Sequence, residues 1–376
     1  MARRQEQEEA RTEVTEVAPD VLRMQLPIQM PGLGHVNCYA LIDGEGAAVV
    51  DPGLPGTASW RALQDRLKQA GIRLKHVHTV IVTHSHPDHF GGASRFVRES
   101  GARVVAHRNF RFGLPAATTP EVSVEHLGEK RAVEGEPVPV AEPAEPAGES
   151  AATHSHAHGH SRGAMGPWGG PTPWGGERPK PPFKQRMRWR MMRMMGGADF
   201  VPEISDPVEN GNVLRLAKRD WFVLHTPGHT EDHICLHDPE LGIFLGGDHV
   251  LPSITPHISG ISSSRDPLAS FFYSLDRVAE INGIKHALPA HGHPFSDLKA
   301  RTEAIKRHHF ERLEKIREIS RELGPTTVEE ISKRLFQPRS WGAMAESETY
   351  AHLEHLRLAG NAESHREGEK LIYTVR

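Results

Sequence analysis

Cysteine is nearly absent: two residues in 376, Cys38 and Cys235, cannot build a disulfide framework. Both lie in apolar, strand-like runs, which predicts buried thiols in a reducing compartment. Long apolar runs are missing as well. No stretch approaches the roughly 18 residues of a membrane span, and the start MARRQEQEEARTEV is too polar for a secretory signal, so a cytoplasmic protein with no membrane partner is expected. Charge of one sign is not in excess, with 45 Lys and Arg against 48 Asp and Glu. That balance excludes a global electrostatic attraction to nucleic acid or anionic lipid. Aromatics are scarce at 6%, which argues against a stacking platform for single strands. No GxSxG stretch offers a serine nucleophile. What is abundant is histidine, 26 residues, and that turns attention to metal chemistry.

Residues 1–15 are charged, lack apolar periodicity and predict a disordered arm. Strands are expected at VLRMQLPI, VNCYALID and AAVVD, followed by a helix capped by Thr57 with Trp60, Leu63, Leu67 and Ala70 at helical spacing. HTVIVT then runs into HSHPDHFGG, a helix ASRFVRES and a strand ARVVAH, an α/β unit whose ligands gather beyond the strand ends. Between 134 and 182 the composition shifts: ten of the 29 prolines fall there, beside HSHAHGH, so a low-complexity insertion is expected. His154, His156, His158 and His160 form a weak metal-binding tract within it. The following KQRMRWRMMRMMGG places Arg186, Arg190 and Arg193 on one side of a helix, with Met187, Met191, Met194 and Met195 adjacent. Such a segment suits either a lid over substrate or a surface helix packed on the body. Strands return at VLRLA, WFVLHT, HICLHD, LGIFLGG and IKHALPA, with helices over Pro267–Asn282 and Phe295–Leu323. From 306 to 376 the order helix, helix, helix, hairpin is that of a small winged helix, following a body over 16–305.

The densest chemistry is THSHPDHFGG. His84 and His86, two apart on an extended turn, can point to one ion, while Asp88 and His89 can reach a second as the chain bends into a helix. Zn2+, Fe2+ and Mn2+ all accept imidazole and carboxylate ligands. His229 in LHTPGHTEDH, Asp248 after LGIFLGG and His291 in HALPAH also follow strands, the placement that brings distant parts of a sheet together. His233, His249 and His293 sit beside these motifs and are read as supporting or substrate-facing groups.

The series HxHxDH, TPGHT, GD and AHGH, preceded by VVDPG, resembles the metallo-β-lactamase superfamily over residues 20–300. The resemblance implies a four-layer αββα sandwich with metals at one edge. It implies one metal on His84, His86 and His229, a second on Asp88, His89 and His291, Asp248 bridging them, and Asp51 bracing the loops without binding metal. Asp88 would also be catalytic, orienting the metal-bound hydroxide. With the C-terminal helices and hairpin, the chain resembles the lactamase-β-like protein 2 subgroup and related thioesterases. That subgroup's loop after the aspartate would place Pro252, Thr255, Pro256 and His257 around the pocket. His257, Arg186, Trp189 and Arg190 are candidates to face substrate. Two divalent ions, Zn2+ foremost with Fe2+ or Mn2+ as alternatives, are the expected cofactors. The leading substrate is a small-molecule ester or thioester, with single-stranded RNA as the alternative, and a homodimer is compatible with the sequence. A third reading makes the winged helix a DNA-binding regulator and the body a metal sensor. Its recognition helix, ETYAHLEHLRLAG, has Arg357 set against Glu348 and Glu354, which disfavours phosphate and suits packing through Leu353, Leu356 and Leu358.

Overall fold

A computed structural model of the chain describes residues 4–30, 32–112, 171–177, 183, 187 and 200–376. The first sheet follows from the apolar runs of the N-terminal half. It contains β1 (Thr15–Ala18), β2 (Val21–Met30), β3 (Leu33–Ile42), β4 (Ala47–Val50), β5 (Val77–Ile81), β6 (Arg103–His107) and β7 (Asp206–Val208), side by side in chain order. β1 to β4 pair antiparallel across short turns, and β4 to β7 pair parallel. Parallel neighbours need crossovers, supplied by α1 (Thr57–Gln69) before β5, and by α2 (Pro87–Phe90) with α3 (Ala93–Ser100) before β6. Thr57 is the first residue of α1 and not its cap: Gly56 holds that place, with no side-chain capping bond. Trp60, Leu63 and Leu67 are buried along one face of α1 against Val36, Val49 and Val80. At roughly 1.5–3 kcal/mol for each fully buried large apolar side chain, this stripe holds the helix to the sheet.

The second sheet has the order β12-β11-β10-β9-β8, from β8 (Val213–Leu216), β9 (Arg219–His225), β10 (Ile234–Asp238), β11 (Ile243–Gly247) and β12 (His286–Pro289). Only β11 and β12 are parallel, and α4 (Pro267–Ala279), capped by Asp266 on Ala269 N at 2.9 Å, makes their crossover. The two sheets face one another through Tyr39, Leu41, Val50 and Ile81 on one side and Trp221, Val223, Ile234 and Leu245 on the other. Helices cover both outer faces, giving layers of helix, sheet, sheet and helix.

The break expected between residues 305 and 306 falls inside one continuous helix, α5 (Leu298–Leu323), capped by Asp297 on Ala300 N at 2.9 Å. Beyond it come β13 (Thr326–Thr327), α6 (Val328–Leu335), α7 (Ala343–Leu358) and the hairpin β14 (Ala362–Glu367) and β15 (Lys370–Val375). β13, too short to read from sequence, pairs with β15 to complete a three-stranded sheet. Ile316, Val328, Ile331, Leu353, Leu356 and Tyr373 continue the core that contains Phe271 and Leu275, so the C-terminal unit is joined to the second sheet's helical layer. Glu348 and Glu354 of α7 face other elements: Glu348 pairs with Arg312 of α5, and Glu354 accepts from the Tyr373 hydroxyl of β15 besides pairing with Arg357 at 2.7 Å.

Two segments expected to be loose are packed. Gln5–Gln7 form a 3-10 turn in which Glu6, 0% exposed, accepts from Ser253 N at 2.7 Å, Ile254 N at 3.1 Å and the Ser253 hydroxyl. Glu6→Ala strands these donors and is expected to cost about 1–3 kcal/mol, read from the urea midpoint, with Glu6→Gln recovering part. A loss below about 0.5 kcal/mol, the scale of an inert surface change, would show that the arm contributes nothing. Within the expected 134–182 insertion, Pro171 and Glu177 bridge as a small turn. Its Trp174, 4% exposed, donates to Glu346 Oε2 at 3.1 Å, and its carbonyl accepts from Leu371 N at 3.1 Å. His154, His156, His158 and His160 lie outside the described residues. Among those residues no helix is long and apolar enough to cross a membrane.

Candidate metal centre

Four segments leave β5, β9, β11 and β12 and meet. After β5 the chain bends through Thr83, His84 and Ser85 and is extended at His86, then Pro87 opens α2 and brings Asp88 and His89 into its first turn. His229 follows β9 through Gly228, whose φ is +135° and whose added Cβ would lie 2.5 Å from Phe271. Asp248 follows β11 through Gly247, at φ +51°, where a Cβ would lie 2.6 Å from His233 Nε2. Both turns therefore need glycine, for backbone conformation and for space.

Two groups of side chains result, one of His84, His86, His229 and Asp248, the other of Asp88, His89 and His291. In the first, His86 Nδ1 lies 2.9 Å from His84 Nε2 and 3.2 Å from His229 Nε2. In the second, Asp88 Oδ2 is 3.6 Å from both His89 Nε2 and His291 Nε2. Asp248 reaches both: Oδ2 is 3.6 Å from His229 Nε2 and 3.6 Å from His89 Nε2, and Oδ1 is 3.3 Å from His291 Nε2.

The outer ring nitrogens show which inner atoms are free. His229 Nδ1 donates to His257 O at 2.7 Å, His291 Nδ1 to His35 O at 2.6 Å, and His89 Nδ1 to Asp51 Oδ2 at 2.9 Å. Each bond places the proton on Nδ1 and turns the Nε2 lone pair inward. His89 Nε2, His291 Nε2 and Asp248 Oδ1 are buried without a hydrogen-bond partner. Leaving such groups unmatched costs about 1–3 kcal/mol each, so the donor set fits divalent cations.

The electrostatics agree. Burial, with His89 and His86 nearby, pushes His84 well below its ordinary value; burial and His229 push His86 down to about 3. Burial lowers His229 too, against the pull of Asp248. Burial also opposes charge on His89 and His291, but the carboxylates of Asp88 and Asp248 overcome it and raise both. Asp248, despite burial, is held well below the usual carboxylate range by His291 and His89. The first group thus offers neutral imidazoles, while the second group, with its two carboxylates, favours positive charge.

Asp51, at φ +53°, faces the supporting structure: it accepts from Thr83 N at 2.9 Å and Thr83 Oγ1 at 2.8 Å as well as from His89. His233 Nε2 accepts from Asp248 N at 3.1 Å, a supporting position. His249 instead packs edge-on to Phe271, and His293 lies 3.1 Å from Glu8. His257, expected to face substrate, turns its ring toward Glu348 at 3.3 Å and supports His229 through its carbonyl. The loop carrying Pro252, Thr255 and Pro256 is held by Arg301, which donates to Leu251 O at 2.6 Å and Ile254 O at 2.7 Å. Arg186, Trp189, Arg190, Arg193, Met191, Met194 and Met195 lie outside the described residues, and Met187 is 48% exposed. Sequence reading missed Thr83, His35 and Arg301, and took Glu348 only as a charge set against phosphate. His35 and Asn37 carried a signal, being polar residues inside the apolar run of β3; Asn37 donates to Pro289 O at 2.8 Å and Gly292 O at 2.9 Å, tying β3 to the His291 loop.

The family model of the metallo-beta-lactamase superfamily matches residues 31–322. The probable metallo-hydrolase YqjP of Bacillus subtilis is 24% identical over 363 residues, covering 94% of this chain and 97% of its own length. A crystal structure of a metallo-beta-lactamase family protein from Thermus thermophilus is 26% identical and superposes with a TM-score of 0.67, covering 96% of this chain and 100% of the other. The atrochrysone carboxyl ACP thioesterase dmxR1 of a Cryptosporiopsis species is 29% identical over 99 residues, 26% of this chain and 28% of its own. With a family match over well more than half its length and a cluster of histidines and aspartates suited to divalent metals, the chain belongs to the metallo-beta-lactamase superfamily and is a metal-dependent hydrolase.

Proposed function

We propose that the chain is a dinuclear hydrolase of small-molecule esters or thioesters. His84, His86 and His229 would hold one ion, Asp88, His89 and His291 the other, and Asp248 both. One observation carries this reading: the two carboxylate oxygens of Asp248 lie within 3.6 Å of ring nitrogens from both groups. Zn2+ suits this mixture of imidazole and carboxylate, and Fe2+ or Mn2+ accept the same ligands. Ions held there would bring a water's pKa toward neutrality and offset negative charge on an attacked carbonyl.

The chain's own contribution is placement. Asp88, fixed in the first turn of α2, turns one oxygen toward the ligand nitrogens of the second group and can orient the attacking water with the rest of its carboxylate. Asp51, His35 and His257 hold three imidazoles in the tautomer that leaves Nε2 free. No serine or cysteine nucleophile is required.

The partial likeness to an ACP thioesterase favours an acyl thioester. We read the C-terminal unit as a winged helix of the lactamase-β-like protein 2 type. Its α7 buries Leu353 and Leu356 and turns Glu348 and Glu354 inward, which supports packing against the body over DNA reading. Single-stranded RNA remains the second substrate class by resemblance to that subgroup.

The test is a parallel assay of metal-reconstituted protein on a medium-chain acyl-CoA and a labelled single-stranded RNA, with His84→Ala as the blank. Thioester turnover that disappears in the variant supports the proposal. RNA cleavage that disappears with it moves the function to the nuclease reading, and no turnover of either substrate removes both classes.

A further inference from the structure

We infer that Glu348, in the C-terminal unit, is a positioning residue for the metal centre and acts through His257 on His229. The inference rests on the proposed reading of His229 as a ligand.

His229 sends its outer N–H to one acceptor, the backbone carbonyl of His257 at 2.7 Å. The orientation of that imidazole therefore depends on where the loop after Asp248 holds this peptide. Three distant parts of the chain fix the loop. Near its start, Glu6 accepts from Ser253 N at 2.7 Å and Ile254 N at 3.1 Å, while Arg301 of α5 donates to Leu251 O and Ile254 O. At its far side, Gly260 N donates to Ser347 Oγ of α7 at 3.0 Å. The approach is close: a Cβ on Gly260 would lie 2.5 Å from Tyr350 and 2.6 Å from Ser347 O. Between these anchors, Ile258 is buried in the core, Ser259 Oγ lies 3.4 Å from Ser347 Oγ, and the tether at the His229 acceptor itself is the ring of His257, whose Nδ1 lies 3.3 Å from Glu348 Oε2.

Glu348 is a rigid post. Its side chain is 12% exposed, and its other oxygen takes the guanidinium of Arg312 on α5, itself 16% exposed. Burial opposes charge there, but Arg312 and His257 hold the carboxyl well below the usual range. Its backbone carbonyl accepts from His352 Nδ1 at 2.7 Å, and His352 Nε2 lies 3.0 Å from His309 Nδ1. His309, Glu348 and His352 are close enough to hold a third cation. Arg312 already matches the single negative charge of Glu348, however, so a divalent ion would add uncompensated buried charge. The cluster is better explained as the mounting of the post.

Outer partners that orient a ligating imidazole are worth about 10- to 100-fold in metal affinity. Cutting the tether frees the His257 peptide to shift, and His229 loses its fixed direction.

The experiment uses the full chain loaded with Co2+, whose visible absorption reports ligand geometry and whose affinity is read by competition with a chromogenic chelator. Glu348→Gln and His257→Ala are compared with wild type, with each other and in combination; His257→Ala leaves the Glu348–Arg312 pair intact and decides the matter where Glu348→Gln fails to fold. Each single variant is expected to weaken one of the two ions about 10- to 100-fold and to alter the cobalt spectrum. The double variant should be no worse than either single one, as for two members of one linkage. Wild-type affinity and spectrum in folded His257→Ala would overturn the inference, as would fully additive losses. His229→Ala separates this from the underlying reading: retention of both ions there removes His229 as a ligand, whereas loss of one ion there with none lost in His257→Ala rejects the tether alone.

Discussion

On the proposed dinuclear reading, Asp248→Ala is expected to abolish stable binding of both ions and to lower hydrolysis by at least about 100- to 1,000-fold, the scale on which one aligned electrostatic contact at a reacting centre is lost. The reason is its double role in space. Oδ1 lies 3.3 Å from His291 Nε2, and Oδ2 lies 3.6 Å from the Nε2 atoms of both His89 and His229, so one deletion removes charge from both groups. What remains on the first side is three imidazoles, with no carboxylate to compensate a dication. Asp248→Asn separates charge from shape, since it keeps the volume and one acceptor oxygen but not the negative charge. It should retain less metal than wild type and more than alanine. Metal content of dialysed protein by mass spectrometry, measured beside the rate, checks both variants. An alanine variant with two ions per chain and a rate within tenfold of wild type would remove Asp248 from the centre.

Asp51→Ala is expected to destabilise the fold by about 3–5 kcal/mol, the cost of deleting one partner from a buried, hydrogen-bonded charge. Three donors lose their acceptor: Thr83 N, Thr83 Oγ1 and His89 Nδ1, at 2.9, 2.8 and 2.9 Å. The backbone adds to the loss, because Asp51 sits at φ +53°, a region that asparagine and aspartate tolerate better than alanine. Asp51→Asn should therefore recover part of the stability. Urea unfolding in the presence of chelator isolates this term from metal binding. A second measurement, metal affinity, should fall about 10- to 100-fold in the alanine variant because His89 loses its orienting partner. A destabilisation below about 1 kcal/mol, an ordinary substitution's effect, would reduce the Asp51 contacts to incidental geometry.

Much of this was written locally. His84, His86, Asp88 and His89 fall in one six-residue stretch after a strand, so local bends and the turn into α2 suffice to gather them. Alternating and helical apolar spacing likewise revealed most strands and helices, because burial on one face is a local pattern with a nonlocal cause. Gly228 and Gly247 mark turns that only glycine can make, and they sit directly before His229 and Asp248.

The charged supports were not legible. Glu6 in a polar stretch and Glu348 on a helix rich in acids look solvated in sequence, since a carboxylate reads as exposed unless its partner is known. Their partners, Ser253 and Arg312, are 247 and 36 residues away, and no spacing rule connects them. Trp174 was lost in proline-rich composition for the same reason, its pocket being made by Glu346, Tyr350 and Leu371. The sequence alone determined which residues are candidate metal ligands and which elements carry them, because ligand chemistry and side-chain periodicity are properties of short segments. Only the tertiary structure decided which nitrogen of each histidine faces inward, and which distant carboxylates hold the surrounding loop, because buried charge is tolerated only where the folded chain supplies its counterpart.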